Sequence, residues 1–289
     1  MASEQLEATI AMMRELALFT GDLEADRAAM GGSGSGLPDD IPHEIVTVNG
    51  QDAAWITNGK RDDAAILYLH GGGYVMGGIN THGPFGARLS ADTGLPLLMP
   101  DYRLGPEHTH PAALEDALAA FEWLTDRGIA PGQIIIAGDS AGGGLTLATL
   151  AALRDRNVSP AAGVALSPWA DLTCSNPSYD TLADADPMVG PVPLRTYAAA
   201  YAGDAPLDDP GLSPGLADLS GLPPVLVQVG GQEILLDDSL AVAASIERST
   251  GAVTLQRWDD AIHVFQMLGA PESDEAIAKI VDFVAEHIG

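Results

Sequence analysis

The sequence predicts an α/β protein with a mostly parallel central sheet, helices on both faces and a helical cap. Short apolar runs alternate with helical patterns from residue 65 to the C-terminus, which is typical of parallel strands joined by crossover helices. Residues 171–218 break that rhythm, because they are rich in Pro, Asp and Ala and contain only short helical patterns. With 46% hydrophobic residues among 289, the chain can bury one large core.

The N-terminal part of the chain has its own pattern. Residues 30–42, "MGGSGSGLPDDIP", are expected to form a flexible connection, since Gly, Ser and Pro dominate them. Apolar and polar residues alternate around Asn49 and Gly50, which predicts a β-hairpin at a sheet edge. An amphipathic helix is predicted near the N-terminus from the helical spacing of Leu6, Ile10, Met13 and Ala17.

The alternating pattern sets the expected order of strands and helices. Buried strands are predicted at residues 65–70, 96–102, 134–138, 163–168, 224–230 and 253–258. Helices are predicted at residues 112–127, 143–156, 238–250 and 274–287. We therefore expect a main domain of residues 41–170 and 219–289, a cap insertion of residues 171–218, and an N-terminal segment of residues 1–40 that contributes to the cap.

The charge and the cysteine content exclude several classes of partner. The formal net charge is −27, from 13 basic and 40 acidic residues, so the surface repels nucleic acid and anionic membranes. Cys174 is the single cysteine, which fits a reducing compartment. The first residues lack a basic stretch followed by an apolar run, and no apolar run reaches the ~18 residues of a membrane span. We expect a cytoplasmic protein without stable membrane association.

A serine stands between glycines where the third apolar run meets a helix. "IIIAG" leads into Gly138, Ser140 and Gly142, and "GGGLTLATLAAL" follows as a helical pattern. This strand, turn and helix is the context of a nucleophile elbow, in which flanking glycines remove side chains that would collide. The alternative, a phosphate-binding loop, requires a different glycine spacing that follows no predicted strand.

A second glycine motif, His-Gly-Gly-Gly, follows the first predicted buried strand. Backbone N–H groups of such a loop can point into a cavity and bind a negatively charged oxygen that develops during a reaction. We assign this oxyanion hole to the N–H groups of Gly72, Gly73 and Ala141, with Gly71 shaping the turn. His70 is expected to hold the loop by hydrogen bonding.

The base must be an imidazole, because a serine hydroxyl is a weak nucleophile until its proton is accepted. In chains with a nucleophile elbow, the acid and then the histidine follow the serine, each in a loop after a later strand. Among the seven histidines, His263 fits this order, because it lies after the last predicted strand. The others precede the serine or belong to the terminal helix: His43, His70, His82, His108 and His110 come earlier, with His82, His108 and His110 in predicted loops, and His287 comes last.

The orienting carboxylate is expected after the penultimate strand, in "GGQEILLDDS". Glu233 lies nearest the strand end and is favoured. Asp237, one helical turn further along, remains the alternative. The sequence thus predicts a catalytic triad of Ser140, Glu233 and His263.

Six motifs in order resemble those of the hormone-sensitive-lipase-like esterases, the bacterial family IV carboxylesterases. They are "HGGG" at 70–73, "DYRLGPEHTHPAALEDA" at 101–117, "GDSAGG" at 138–143, "SPWADLT" at 167–173, "EILLDD" at 233–238 and "HVF" at 263–265. The resemblance implies an α/β-hydrolase fold with a helical cap, which hydrolyses short-chain carboxylic esters as small-molecule substrates without metal or cofactor. It also admits a homodimer. The family usually has Asp-Pro-Leu where this chain has Glu233-Ile234-Leu235.

Three other functions remain open from the sequence. A lactonase or a deacetylase would use the same triad, whereas a non-catalytic ligand-binding relative would be expected to lack the histidine at position 263. The substrate pocket is expected to be lined by residues of the cap and its surroundings, namely Met12, Met13, Trp169, Met188 and Tyr197.

Overall fold

A single sheet forms the centre of the molecule. The computed structural model describes residues 2–16, 19–59 and 61–289, so the predicted helical position Ala17 lies outside the described residues. Within this part of the chain, eight strands form one sheet in the spatial order β1-β2-β4-β3-β5-β6-β7-β8. They are β1 His43–Val48, β2 Gln51–Ile56, β3 Ala65–Leu69, β4 Leu97–Pro100, β5 Ile134–Asp139, β6 Ala162–Leu166, β7 Val225–Gly230 and β8 Val253–Trp258.

The strand directions bring the loops of interest to one edge of the sheet. β1 and β2 form the predicted antiparallel hairpin at one side, and β2 pairs antiparallel with β4. All pairs from β4 to β8 are parallel. Since parallel strands end at the same edge, the loops after β3, β5, β6, β7 and β8 meet there.

Helices cover both faces of the sheet, as the alternating pattern predicted. They are α1 Glu4–Leu16, α2 Leu23–Ser33, α3 Ile79–Thr93, α4 Ala112–Asp126, α5 Ala141–Asp155, α6 Ser178–Thr181, α7 Pro191–Ala202, α8 Leu236–Arg248 and α9 Pro271–His287. Leu67 of β3 belongs to the core formed with α4, α5 and α8, whereas Ile66 belongs to the core formed with α3 and α9. Burying such a side chain stabilises the fold by about 1.5–3 kcal/mol.

The predicted α/β fold class is confirmed, but four local predictions are wrong. β8, which was predicted as a buried strand, has no buried residue, because it is the last strand of the sheet. The supposed flexible stretch begins inside α2, which Asp22 caps by accepting a hydrogen bond from Ala25 N at 3.1 Å. α3 was not predicted because Gly83, Pro84 and Gly86 disfavour a helix, yet it packs on β4 and α9. For the same reason His82, expected in a loop, lies in α3.

The insertion at 171–218 also differs in detail from its prediction. It contains α7, a helix of 12 residues, where only short helical pieces were expected. Its interpretation as a cap, and the division of the chain into the four predicted segments, remain predictions. Among residues 2–16, 19–59 and 61–289, no helix combines the length and apolar composition of a membrane span.

Candidate active site

Ser140 occupies the sharp turn between β5 and α5. Its backbone has φ 52° and ψ −120°, a left-handed conformation that is strained for a residue with a side chain. The flanking glycines allow this turn, because a Cβ on Gly142 would lie 2.0 Å from Leu69 O and one on Gly138 would lie 2.3 Å from Gly142 O. The Ser140 hydroxyl is thereby presented at the end of the sheet.

His263 lies beside this serine, in the loop after β8. Its Nε2 is 3.0 Å from Ser140 Oγ, although 123 residues separate the two along the chain. Burial by itself lowers the pKa of His263, but the hydrogen bond and charge of Glu233, with the charges of Asp186 and Asp139, outweigh burial and raise the pKa above its usual 6.5. The imidazole is therefore a stronger base than it would be in water.

Glu233, and not Asp237, faces the histidine. Glu233 Oε1 lies 3.5 Å from His263 Nδ1, and its Oε2 accepts hydrogen bonds from Ser167 Oγ at 2.8 Å and Gly230 N at 3.1 Å. Asp237 instead accepts a hydrogen bond from Ser178 N at 2.8 Å. The geometry thus favours the first of the two acids that the sequence left open.

Two further buried polar residues lie at this site, and the sequence predicted no role for either. Ser167 follows β6, donates to Glu233 and accepts from Val264 N at 3.2 Å, so it joins the loops after β6, β7 and β8. Asp186 accepts a hydrogen bond from Ile234 N at 3.0 Å, and burial raises its pKa to about 6. A polar residue directly after an apolar run was a visible signal for Ser167; Asp186 stands in an aperiodic stretch and offered none.

The glycine loop after β3 lies next to the serine turn, because β3 pairs with β5. Gly72 and Gly73 both line the cavity in front of Ser140. Gly71 N instead donates to Asp139 Oδ1 at 3.0 Å, which agrees with a role in shaping the turn. Ala141 is the first residue of α5, where a backbone N–H has no partner within the helix.

His70 and Asp139 hold the glycine loop through hydrogen bonds to Gly71. His70 Nδ1 donates to Gly71 O at 2.8 Å, as expected, and the ring stacks on Tyr102 at 4.1 Å. Burial and the neighbouring His82 lower the pKa of His70 to about 3, so the ring is neutral. Asp139 also accepts a hydrogen bond from Tyr68 OH at 2.7 Å.

A mostly apolar cavity of about 180 Å³ opens onto the serine and the histidine. Met188 and Tyr197 line it as predicted. Trp169 does not, because it is fully buried in the core against Tyr74. Met12 and Met13 also lie elsewhere, on α1, whereas the sequence gave no sign of the walls formed by Phe19, Met30, Met76, Leu194 and Met267.

This arrangement has the parts needed for acyl transfer. It combines a serine within proton-transfer distance of a basic imidazole, a carboxylate on the far nitrogen of that imidazole, and a glycine loop that lines the same cavity as the serine. Taken with the sheet order, these features define an α/β hydrolase.

Comparison with known proteins agrees with this class. A family model described as the alpha/beta hydrolase fold matches residues 66–267, and the chain belongs to the bacterial hormone-sensitive lipase family of these proteins. An acetyl-hydrolase of Streptomyces hygroscopicus is 38% identical over 276 residues, which cover 92% of this chain and 90% of the relative.

Two solved structures extend the similarity to nearly every residue. The crystal structure of an esterase from the bacterial hormone-sensitive lipase family is 43% identical, with a TM-score of 0.94 and full coverage, 100%, of both chains. That of EstE5 soaked with p-nitrophenyl butyrate is also 43% identical, with a TM-score of 0.94 and 99% of both chains covered.

Proposed function

We propose that the protein is a serine carboxylesterase that cleaves short-chain carboxylic esters through an acyl-enzyme intermediate. Ser140 is the nucleophile, His263 the general base and acid, and Glu233 the carboxylate that orients the imidazole. The observation that carries this proposal is the 3.0 Å distance between Ser140 Oγ and His263 Nε2, at the inner end of an apolar cavity.

The first half-reaction transfers the acyl group to the enzyme. Ser140 Oγ bonds to the ester carbonyl carbon while its proton passes to His263 Nε2, and the carbonyl π electrons move onto the oxygen. When this tetrahedral adduct collapses, the bond to the alkoxy oxygen breaks. The alcohol leaves with the proton from His263.

The second half-reaction regenerates the serine. A water molecule attacks the acyl carbon and gives one proton to His263. Collapse of the second adduct breaks the bond to Ser140 Oγ, which takes the proton back. The carboxylic acid product is then released.

The developing oxyanion is held by the N–H groups of Gly72, Gly73 and Ala141. The loop position of the two glycines beside the cavity and the place of Ala141 at the start of α5 support this assignment. Gly71 contributes by shaping the turn, since its own N–H is bonded to Asp139.

The preference for small esters is supported by the size of the cavity. Its volume of about 180 Å³ is below the usual range of ligand pockets, about 300–1,000 Å³. The Streptomyces relative is an acetyl-hydrolase, and the EstE5 crystal was soaked with a butyrate ester. Acyl groups of this length suit the cavity.

Hydrolysis of p-nitrophenyl acetate and butyrate tests the proposal. Ser140→Ala should reduce kcat by about 10⁴-fold or more, while the circular dichroism spectrum and Tm stay close to those of the wild type. An organophosphate should add to Ser140 in the wild type and not in the variant, as measured by mass spectrometry. Ser159→Ala, at an exposed serine, is the control and should keep full activity.

Two results would contradict this assignment of function. Unchanged hydrolysis by Ser140→Ala would exclude this residue as the nucleophile. A wild-type protein with neither hydrolysis nor adduct would favour the ligand-binding alternative. Lactones and acetylated amines or sugars, added to the ester panel, rank lactonase and deacetylase activity against esterase activity.

We further propose a cytoplasmic location and a homodimer. Cys174, the single cysteine, is a buried thiol whose pKa burial raises to about 12, so it is an unreactive side chain that suits a reducing compartment. β8 is the last strand of the sheet, and in the described part of the chain one of its edges pairs with no other strand, so a second copy can cover it. Light scattering after gel filtration measures the oligomeric state.

A further inference from the structure

Arg27 lies on helix α2, outside the central sheet, and its side chain binds the segments next to the glycine loop. Its Nε donates to Val75 O at 2.7 Å, and its Nη2 donates to Gly105 O at 2.6 Å. The guanidinium also forms a two-point ion pair with Glu107, with both N–O distances at 2.7 Å. The planar side chain is thus held in one orientation by three acceptor groups.

The carbonyl groups that Arg27 binds are joined to the loop itself. Val75 N donates to Gly72 O at 3.1 Å, so Val75 closes the turn that begins at Gly72. Gly105 N donates to Tyr74 O at 2.9 Å. A displacement of Arg27 therefore releases both the far side of this turn and the segment that supports it.

Asp26, the residue before Arg27, is buried, and both of its carboxylate oxygens accept hydrogen bonds. It is 1% exposed and accepts hydrogen bonds from Thr20 N at 2.9 Å, Thr20 Oγ1 at 3.1 Å, Gly21 N at 2.8 Å and Tyr197 OH at 2.5 Å. Burial raises the pKa of Asp26, but these hydrogen bonds outweigh burial and leave the pKa below its usual 3.8. Asp26 is therefore a charged anchor for the Tyr197 hydroxyl.

The ring of Tyr197 in turn lies against Gly73. A Cβ built on Gly73 would be 2.8 Å from Tyr197 Cδ2, so the ring occupies the space next to this backbone. Tyr197 comes from α7 and Asp26 from α2, 171 residues apart, and the hydrogen bond between them holds the hydroxyl end of the ring in place. Gly73 is thereby bounded by a side chain that Asp26 holds in place.

We infer that Asp26 and Arg27 form a positioning pair, which sets the backbone amides of Gly72 and Gly73 in the geometry that binds the oxyanion. Arg27 acts through Val75 and Asp26 acts through Tyr197. Neither residue touches the ester, and the inference rests on the esterase function proposed above. Because oxyanion binding depends steeply on donor placement, a small shift of the loop reduces the rate without changing substrate binding.

The test compares Arg27→Met with Arg61→Met. Arg61 is a matched control, since it also forms a two-point ion pair, with Asp63, and donates to a backbone carbonyl, Gly289 O at 2.7 Å. The readouts are kcat and KM for p-nitrophenyl butyrate, and the Ki of an alkyl trifluoromethyl ketone. Ser140 Oγ adds to the ketone carbon, its proton passes to His263, and the carbonyl electron pair becomes an oxyanion that requires the amides.

We expect Arg27→Met to lower kcat about tenfold or more and to raise the Ki of the ketone by the same factor. KM should stay within about twofold of the wild type, because the ground-state ester does not use the oxyanion hole fully. Arg61→Met should leave kcat, KM and Ki unchanged. Arg27→Lys keeps the charge but not the planar fork, and should recover only part of the loss.

Tyr197→Phe tests the second contact and serves if Arg27→Met does not fold. It keeps the ring against Gly73 and removes the hydroxyl that Asp26 binds, so kcat and ketone affinity should fall together. A raised KM with normal kcat and Ki would overturn the inference, because α2 would then only line the cavity. Unchanged kinetics in Arg27→Met and Tyr197→Phe would overturn it too, whereas an inactive wild type refutes the esterase function itself.

Discussion

Glu233 and Asp238 stand five residues apart and are almost equally buried, at 0% and 1% exposure, but they differ in what they face. Glu233 follows the end of β7 and faces an imidazole whose protonation changes during the proposed reaction. Asp238 lies in the first turn of α8, and its partners have fixed protons. It accepts hydrogen bonds from Ala170 N, Asp171 N, Asn176 Nδ2 and Tyr179 OH.

The difference shows that position relative to a strand end decides the use of a carboxylate here. A side chain at the strand end reaches the loops of the neighbouring strands, and so meets His263. One turn further on, Asp237 and Asp238 face the chain that follows β6, and both hold residues 170–179 against α8. The same type of group thus serves the proposed chemistry in one place and folding in the other.

The largest expected effect comes from Glu233→Gln. The new amide N–H would face His263 Nδ1 and favour the tautomer that carries its proton on Nε2, where the ring cannot accept the proton of Ser140. We expect kcat to fall by about 10³- to 10⁴-fold with little change in Tm. Ester hydrolysis and thermal unfolding measure the two quantities.

Asp237→Asn is the control for this change, because Asp237 does not contact His263. Its kcat should stay within about twofold of the wild type. If Asp237→Asn loses as much activity as Glu233→Gln, the acid has been assigned to the wrong residue.

The next effect concerns folding. Asp238→Ala removes the acceptor for four donors, two of them buried backbone N–H groups, and should lower the free energy of unfolding by about 3 kcal/mol. Urea denaturation measures this loss. Asp237→Ala, which frees Ser178 N, should cost about 1 kcal/mol. Equal losses from the two variants would contradict the role of Asp238 as the main anchor of residues 170–179.

The smallest effect is a shift in pH dependence. The pKa of His263 is raised, so the imidazole becomes protonated and inactive as pH falls through a value above 6.5. The acidic limb of kcat/KM should therefore lie above pH 6.5 in the wild type. In Glu233→Gln the acidic limb of the remaining kcat/KM should move to lower pH, because the group that most raises the pKa of His263 has lost its charge. An unmoved limb would show that Glu233 does not stabilise the imidazolium.

Those parts of the fold and site that depend on local pattern could be predicted from the sequence. The buried strands β3 to β7 were visible as continuous apolar runs, because parallel strands covered on both faces have no polar side. β8, at the edge of the sheet, is the exception. The positions of Ser140, Glu233 and His263 followed from their places after strands β5, β7 and β8. The place of Glu233 nearest the strand end favoured it over Asp237, but one helical turn separates the two, and the structure shows that Glu233 faces the ring.

Residues whose role depends on distant contacts could not be found. α2 carries two glycines near its end, and its anchoring through Arg27 depends on Val75 and Gly105. Asp186 is a single polar residue with no periodic partner. Ser167 was visible as a polar residue after an apolar run, but its contacts with Glu233 and Val264 join loops that are distant in the chain. The walls of the cavity at Phe19 and Met267 come from opposite ends of the chain, a proximity that no local pattern encodes.

The site is not built from one continuous segment of the chain. The loops that supply Ser140, Glu233 and His263 start from different strands, and Ser167, in the loop after β6, ties the last two of them together. These groups can meet only when the strands lie in register, so the proposed catalytic site cannot assemble on a half-formed sheet. The return of hydrolysis after dilution from denaturant is therefore a sensitive signal that renaturation has reached the whole sheet.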